Sequence, residues 1–354
     1  MRAAATVLAI GLEVTLILVV VGLTNGMLKD SARRMQGTGA DIVFLPPGSS
    51  FFLGTSTAVM PVKIKDKLLT FKGIHAVAPI LLQTNTQGGL DIIYGIDLAS
   101  FNQVSQGFIF LSGSEFQSSR DVIVDEIYAN SRKLKVGDEA RFLNHTFRVC
   151  GIVEHGKGSR IFLPIQSLQE MMGRSDRASL MFIKCDSPEV IPRVNNDLKA
   201  QFVGYRILPM SEFVSLMSSA SSSLPALQVF INSVTFIAVL VGFFAIFLAM
   251  YTATIGRTRE IGILKSMGAS KVYVLNVFIK EAMVLCALGF LVGMGLTRLS
   301  TFFLIKAFSN LQMEISGTWI LQAAVVSFIS AGLGALYPAL QAARQDPVEA
   351  LAYE

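Results

Sequence analysis

Residues 254–270 read TIGRTREIGILKSMGAS. They lie between two long apolar runs, one from about Leu227 to Ala253 and the other from about Val274 to Leu299. Each run exceeds the roughly 20 apolar residues that carry a helix across a bilayer. The linker is short and basic, with Arg257, Arg259, Lys265 and Lys271, and Lys280 just beyond. Positive charge concentrated in a short loop between two spans marks the cytoplasmic side. Within the loop, Glu260, Ile263, Leu264 and Met267 recur at spacings of three and four, which predicts a short helix with these residues on one face. Gly268 is placed to end it. A short helix held between two membrane helices is a lever, because whatever grips it moves both spans.

Two more apolar runs lie at Ala3 to about Leu23 and Trp319 to about Leu340. Together the four runs explain why 52% of the 354 residues are hydrophobic and only 16% charged, a composition too apolar for an ordinary soluble chain. The first run lacks an A-x-A cleavage pattern and outlasts the roughly 7–15 apolar residues of a signal peptide, so it reads as a retained anchor. The predicted order is a transmembrane helix within 1–25, an outer domain with its stalk at 26–225, spans at 226–253 and 274–299 flanking the helical loop at 254–273, an outer connection at 300–317, a last span at 318–340, and a cytoplasmic tail at 341–354. The formal charge is +5, but much of the basic excess sits at span boundaries and no basic run is interleaved with aromatics. That pattern argues for lipid contact and against nucleic acid as a partner.

Residues 26–225 have ordinary soluble composition. Strand-like runs recur at Asp41–Leu45, Asp91–Tyr94, Asp121–Val124, Glu139–Leu143, Thr146–Val153 and Leu180–Cys185, with a hairpin turn expected at Asn144–His145. Helix-like stretches fall at Pro61–Phe71, Glu126–Leu134, Ile165–Met172 and Ser187–Gln201. Alternating strands and helices predict a mixed α+β domain of two lobes. Lys29–Gln36 and Ser211–Ser223 are expected to form a helical stalk. The fold class is therefore membrane α-helical, four transmembrane helices, with a large mixed α+β extracytoplasmic domain inserted between helices 1 and 2.

The sequence carries no recognisable motif of reaction chemistry. There is no G-x-x-x-x-G-K-[ST]; HGKGSR at His155–Arg160 lacks the spacing of a phosphate-cradling loop. G-x-S-x-G, H-E-x-x-H and C-x-x-C are absent, and His75, His145 and His155 lie in separate segments. No catalytic, cofactor or metal-ligating residue is assigned. Three cysteines make neither a disulfide scaffold nor a zinc site; Cys150 and Cys185 fall in strand-like runs, where buried free thiols or a pair are both open. Glu13 lies near the middle of the first span, where a carboxylate is costly and must face protein; a polar contact between helices is favoured over proton handling. Gly289 with Gly293, and Ser330 with Gly334, put small residues at the four-residue spacing of close helix contact.

The arrangement resembles the permeases of the MacB/FtsX/LolC type of ABC transporter. RTREIGILKSMGAS at Arg257–Ser270 resembles that family's R-x-x-E-I-G-x-L-(R/K)-A-x-G-A-S signature. ARQDPVEAL at Ala343–Leu351 resembles its A-x-x-(D/N)-P-x-E-A-L ending. GADIVFLPPGSS at Gly39–Ser50, YGIDLASF at Tyr94–Phe101 and the run from Asp121 to Ile165 resemble segments of its outer domain. The resemblance implies a split form, without a fused ATPase domain, paired as a homodimer or with a second permease in the bacterial cytoplasmic (inner) membrane. ATP would be bound and hydrolysed by a separate ABC ATPase subunit, so the chain itself is expected to be no enzyme and to hold no cofactor. It further implies that Thr254–Gly268 includes a coupling helix seated on that ATPase; helical spacing then puts Ile263, Leu264 and Met267 in the contact, Arg259, Glu260 and Lys265 at the rim and Gly268 at the exit, the alternative being an interfacial helix resting on lipid headgroups. The implied role is to transmit motion to the outer domain for export or extraction of a lipid, lipoprotein, peptide or drug, with a periplasmic adaptor as a further partner. The alternative is a non-transporting regulator of an extracytoplasmic cell-wall hydrolase.

Overall fold

The structure is a computed structural model and describes residues 2–49, 58–85, 91–218, 225–307 and 312–345. The described residues divide into two compact units, one of residues 2–27, 225–307 and 312–345, the other of residues 28–49, 58–85 and 91–218.

The first unit is helical. Its four long helices are Arg2–Gln36, which belongs to it as far as Met27, Pro225–Gly256, Lys271–Ala307 and Gly317–Arg344, each long and apolar enough to cross a membrane. Small residues set their spacing. A Cβ added at Gly289 of the third helix would stand 2.6 Å from Cβ of Ile10, and one at Gly293 would stand 2.7 Å from Cβ of Val14. The first helix therefore lies directly on the third. A Cβ at Gly334 of the fourth helix would stand 2.8 Å from the Phe243 carbonyl oxygen of the second, and Ser330 Oγ donates to the Val239 carbonyl at 3.1 Å. With no hydrophobic driving force between helices in lipid, such close backbone approach supplies the dispersion contact that holds them. Ile10, Val14, Leu18, Ile246, Phe278 and Ala335 form part of the buried core.

The second unit is built on one sheet. Its strands are β1 (Ile42–Leu45), β3 (Ile74–Asn85), β4 (Asp91–Ile96), β5 (Phe110–Gly113), β6 (Asp121–Asp125), β7 (Glu139–Phe142), β8 (His145–Val153), β9 (Ile161–Pro164), β11 (Leu180–Cys185) and β12 (Arg206–Pro209). The short β2 (Met60–Pro61) and β10 (Arg177–Ala178) pair separately. The order is β12-β1-β11-β3-β4-β9-β6-β8-β5, with β7 also on β8. Only β4 with β9 and β6 with β8 run parallel among these pairings. Successive residues of a strand feed opposite faces: Val43 and Leu45 join one core, Ile42 and Phe44 another. The first core runs along one whole face, including Ile80, Tyr94, Phe162 and Phe182. The other face divides into two clusters, one around Phe142, Val149 and Leu168, the other around Phe44, Met181 and Leu198. The sheet itself is continuous, and the division into lobes appears only in the packing of that second face.

Several details depart from the sequence reading. The hairpin turns at Leu143–Asn144, one residue early. Phe142 pairs with His145, and the two central residues take φ of 51° and 68°, the positive pair of a tight two-residue hairpin. The longest strand, β3, was not among the expected runs, and neither were β9 and β12. Of the predicted helix at Pro61–Phe71, only Ile64–Leu68 is helical, because Met60–Pro61 pairs with Arg177–Ala178. Lys29–Gln36 is the unbroken end of the first long helix. The other stalk segment is helical over Met210–Ser218, and its residues 219–223 lie outside the described ones.

Candidate functional site

The linker at 254–270 folds as the predicted helix, Thr258–Ser266. Arg257 breaks from the second long helix with φ −116° and ψ 20°, and its guanidinium Nη1 pairs with Glu281 Oε2 of the third at 3.1 Å. The helix has two distinct faces. Thr258, Ile261 and Gly262 are buried, and Ile261 belongs to the same core as Val274, Phe278 and Ala342. Thr258 Oγ1 donates to Ile255 O at 2.9 Å and also lies 3.2 Å from Thr254 O. The opposite face carries Arg259, Glu260, Ile263, Leu264 and Met267, all exposed. Met267 exposes 73% of its surface, Ile263 44% and Leu264 38%. Three apolar side chains left uncovered on a helix whose other face is docked form a patch of the kind that marks a contact surface.

Lys265 has a role the pattern did not convey, whereas Gly268 ends the helix as expected. Lys265 does not rim the exposed face. It is turned to the end of the fourth helix, where its ammonium donates to the Ala343 carbonyl at 3.0 Å and to the Gln345 carbonyl. The positive end group therefore satisfies carbonyls that a helix C-terminus leaves open. Gly268 follows the C-cap with φ +93°. Ala269 N donates to Leu264 O at 3.0 Å and Gly268 N to Lys265 O at 3.1 Å, the paired bonds of a Schellman stop. Of the C-terminal motif, only Ala343–Gln345 falls among the described residues.

Elsewhere in the helical unit, Glu13 is 3% exposed. Its carboxylate lies against Gly242 of the second helix, where any Cβ would collide with it. Its Oε1 has no hydrogen-bond partner among the described residues.

In the sheet unit, His155 stands in a cluster the motif search missed. Its Nδ1 is 2.5 Å from Asp125 Oδ2 and its Nε2 2.9 Å from Asp30 Oδ1. Arg160 Nη2 and Arg34 Nε reach Asp30 Oδ2 at 2.9 and 3.1 Å. Burial lowers the His155 pKa, but the hydrogen bonds it donates to Asp125 and Asp30 outweigh that and hold it up at about 9. No spacing rule joins positions 30, 125 and 155; only the tertiary fold does. Cys150 and Cys185 are buried free thiols, pushed by burial up to about 12 and about 11. Among the described residues, no group of three or more His, Cys, Asp or Glu side chains is placed to hold a metal ion.

Two family models match in series. Residues 3–201 match the MacB-like periplasmic core domain and residues 232–347 the FtsX-like permease C-terminal domain. The chain belongs to the MacB/FtsX family of ABC transporter permeases. With four membrane-length apolar helices, this MacB/FtsX permease is a multi-pass protein of the bacterial inner membrane. It is 23% identical over 385 residues to the uncharacterized ABC transporter permease YknZ of Bacillus subtilis, covering 100% of this chain and 96% of that protein. It is 24% identical over 384 residues to the macrolide export ATP-binding/permease protein MacB of Neisseria meningitidis serogroup A, covering 100% of this chain and 59% of that one. The chain thus spans nearly all of YknZ and less than two thirds of MacB. The crystal structure of the periplasmic region of MacB from Actinobacillus actinomycetemcomitans aligns with 52% of this chain and 95% of its own, at 16% identity and a TM-score of 0.40.

Proposed function

We propose that this permease transmits the ATP-driven motion of an ABC ATPase to its sheet domain on the outer side of the membrane. The ATPase is taken to be a separate subunit, and the permease to work as a pair. The sheet domain is the segment inserted between the first and second spans. The outcome is export or extraction of an apolar or amphipathic cargo, in the class of lipids, lipoproteins, peptides and drugs. The two-faced loop helix carries this reading. Its inner face is fastened to the third and fourth long helices through Ile261, Lys265 and the Arg257–Glu281 pair. A force applied to its outer face therefore reaches the spans without being absorbed in a slack loop. The outer face offers Ile263, Leu264 and Met267 at the centre with Arg259 and Glu260 beside them, an apolar middle with a polar edge, as in the central patch of a protein interface.

A photoreactive residue at Met267, introduced in intact cells, tests the reading. Crosslinking to an ABC ATPase subunit is the expected result. An adduct with lipid alone would instead make the loop an interfacial helix lying on headgroups, and the proposal would fail.

A further inference from the structure

The loop Glu154–Arg160 is fastened to the end of the first long helix and to the sheet at once. Asp30 and Arg34 are on that helix, within the sheet unit. Asp125 ends β6 and caps the next helix, its Oδ1 accepting from Tyr128 N at 2.7 Å. His155 sits between the two carboxylates, with 18% of its side chain exposed against 7% for Asp30 and 2% for Asp125. A neutral imidazole has one N–H and one lone pair, whereas an ionised carboxylate only accepts. Between two such acceptors, only the doubly protonated ring satisfies both contacts. Asp30 also receives Arg160 and Arg34, and Arg160 Nε lies 4.0 Å from Asp125 Oδ2. The backbones interlock as well: Gly158 N donates to Arg34 O at 2.8 Å, and a Cβ at Gly37 would run into the Gly156 carbonyl. Gly158, at φ +81°, leaves no room for a side chain beside Tyr94 and Thr38.

The charged surroundings come from every neighbouring element. Asp91, at the head of β4, interacts with Asp125, Arg132, Arg160 and Arg34. Lys157, in the same loop, donates to the Ser105 carbonyl at 2.5 Å and interacts with Glu154. The arginines stay charged at any accessible pH; of the two cations that can lose their charge, Lys157, whose pKa burial lowers, and His155, it is His155 that bridges Asp30 and Asp125.

We propose that the His155 imidazolium is a charged pin that locks the last turns of the first long helix to the sheet, so that helix end and sheet move as one body. His155 is a positioning residue in this scheme. The inference rests on the sheet unit alone and stands apart from the transport reading.

The test uses the full chain in lipid nanodiscs with spin labels at Gln36→Cys and Asn130→Cys, both exposed positions. A control pair joins Asn130→Cys to Arg206→Cys within the sheet unit. Distances are measured at pH 7 and at pH 10, above the value of about 9 at which the ring loses its charge. The 36–130 distance should be single and narrow at pH 7 and lose that definition at pH 10. With His155→Gln it should be broad at both. A distance that stays narrow at pH 10 in the chain with His155, or at pH 7 with His155→Gln, would overturn the pin. So would equal broadening of the control pair, which would mean general loosening. Should His155→Gln fail to fold, the pH comparison is made on the chain with His155 and Lys157→Arg, whose guanidinium does not titrate in this range, and it decides.

Discussion

Ile261 and Leu264 are three residues apart on the loop helix, yet their surroundings are opposite. Ile261 is 3% exposed within the helical core, and Leu264 is 38% exposed. Ile261→Asp would bury an unpaired charge, a change that costs several kcal/mol, and should abolish accumulation of folded protein in detergent. If Ile261→Asp yields as much monodisperse protein as the parent, the docked face is misassigned. The helical spacing of Ile263, Leu264 and Met267 was readable in the sequence; the direction of Lys265 was not. A lysine stem is long enough to leave its own face, and its choice of the Ala343 and Gln345 carbonyls depends on where the fourth helix ends. The His155 cluster was hidden for the same reason, since its members are 30 and 125 positions apart. His155 also sets a pH dependence. Its folded pKa, about 9, is raised above the ordinary value of 6.5. Its contribution to stability is therefore fully present below about 6.5 and is lost as pH rises through about 9. The gap in thermal midpoint between the parent and His155→Gln should narrow across that window; a constant gap from pH 6 to pH 10 would contradict it.

Among the elements, the ones announced by apolar periodicity and length were legible, and the ones that break a local rule were not. β3 is the instructive case. Pro79 lies within it, and proline ordinarily argues against a central strand because it cannot donate to the ladder. Here Pro79 pairs with Met181 of β11 on one side, while the pairing with β4 begins only at Ile80. Among the described residues, the proline stands just where one flank of the strand has no paired strand. The hairpin turns one residue early because Leu143 adopts a positive φ, which its side chain disfavours, with Phe142 and Phe147 buried together on either side of the turn. The loop helix makes a prediction at this scale. Gly268→Val puts a β-branched residue at φ +93°, a strain of about 1–3 kcal/mol. The Schellman bonds to Leu264 and Lys265 should be lost, and amide exchange at Ala269 should accelerate. Unchanged protection at Ala269 would show that the stop does not depend on glycine.

For the whole molecule, the four apolar helices and the basic loop fix a testable orientation. Ser114 and Ser266 are both exposed, one in the sheet unit and the other in the loop helix. The chain's own cysteines are buried, so introduced thiols carry the signal. In intact cells an impermeant thiol reagent should label Ser114→Cys and spare Ser266→Cys; the reverse pattern would invert the topology. The most direct test is Leu264→Asp, made in the full chain and purified with the ABC ATPase proposed to drive it. The substitution leaves the docked face untouched and places a charge in the exposed one, where loss of a central anchor costs about 2 kcal/mol or more of binding. The permease should insert and pair normally while ATPase copurification and stimulated hydrolysis are lost. If both survive in Leu264→Asp at the parent level, the loop helix is not the element through which this permease is driven.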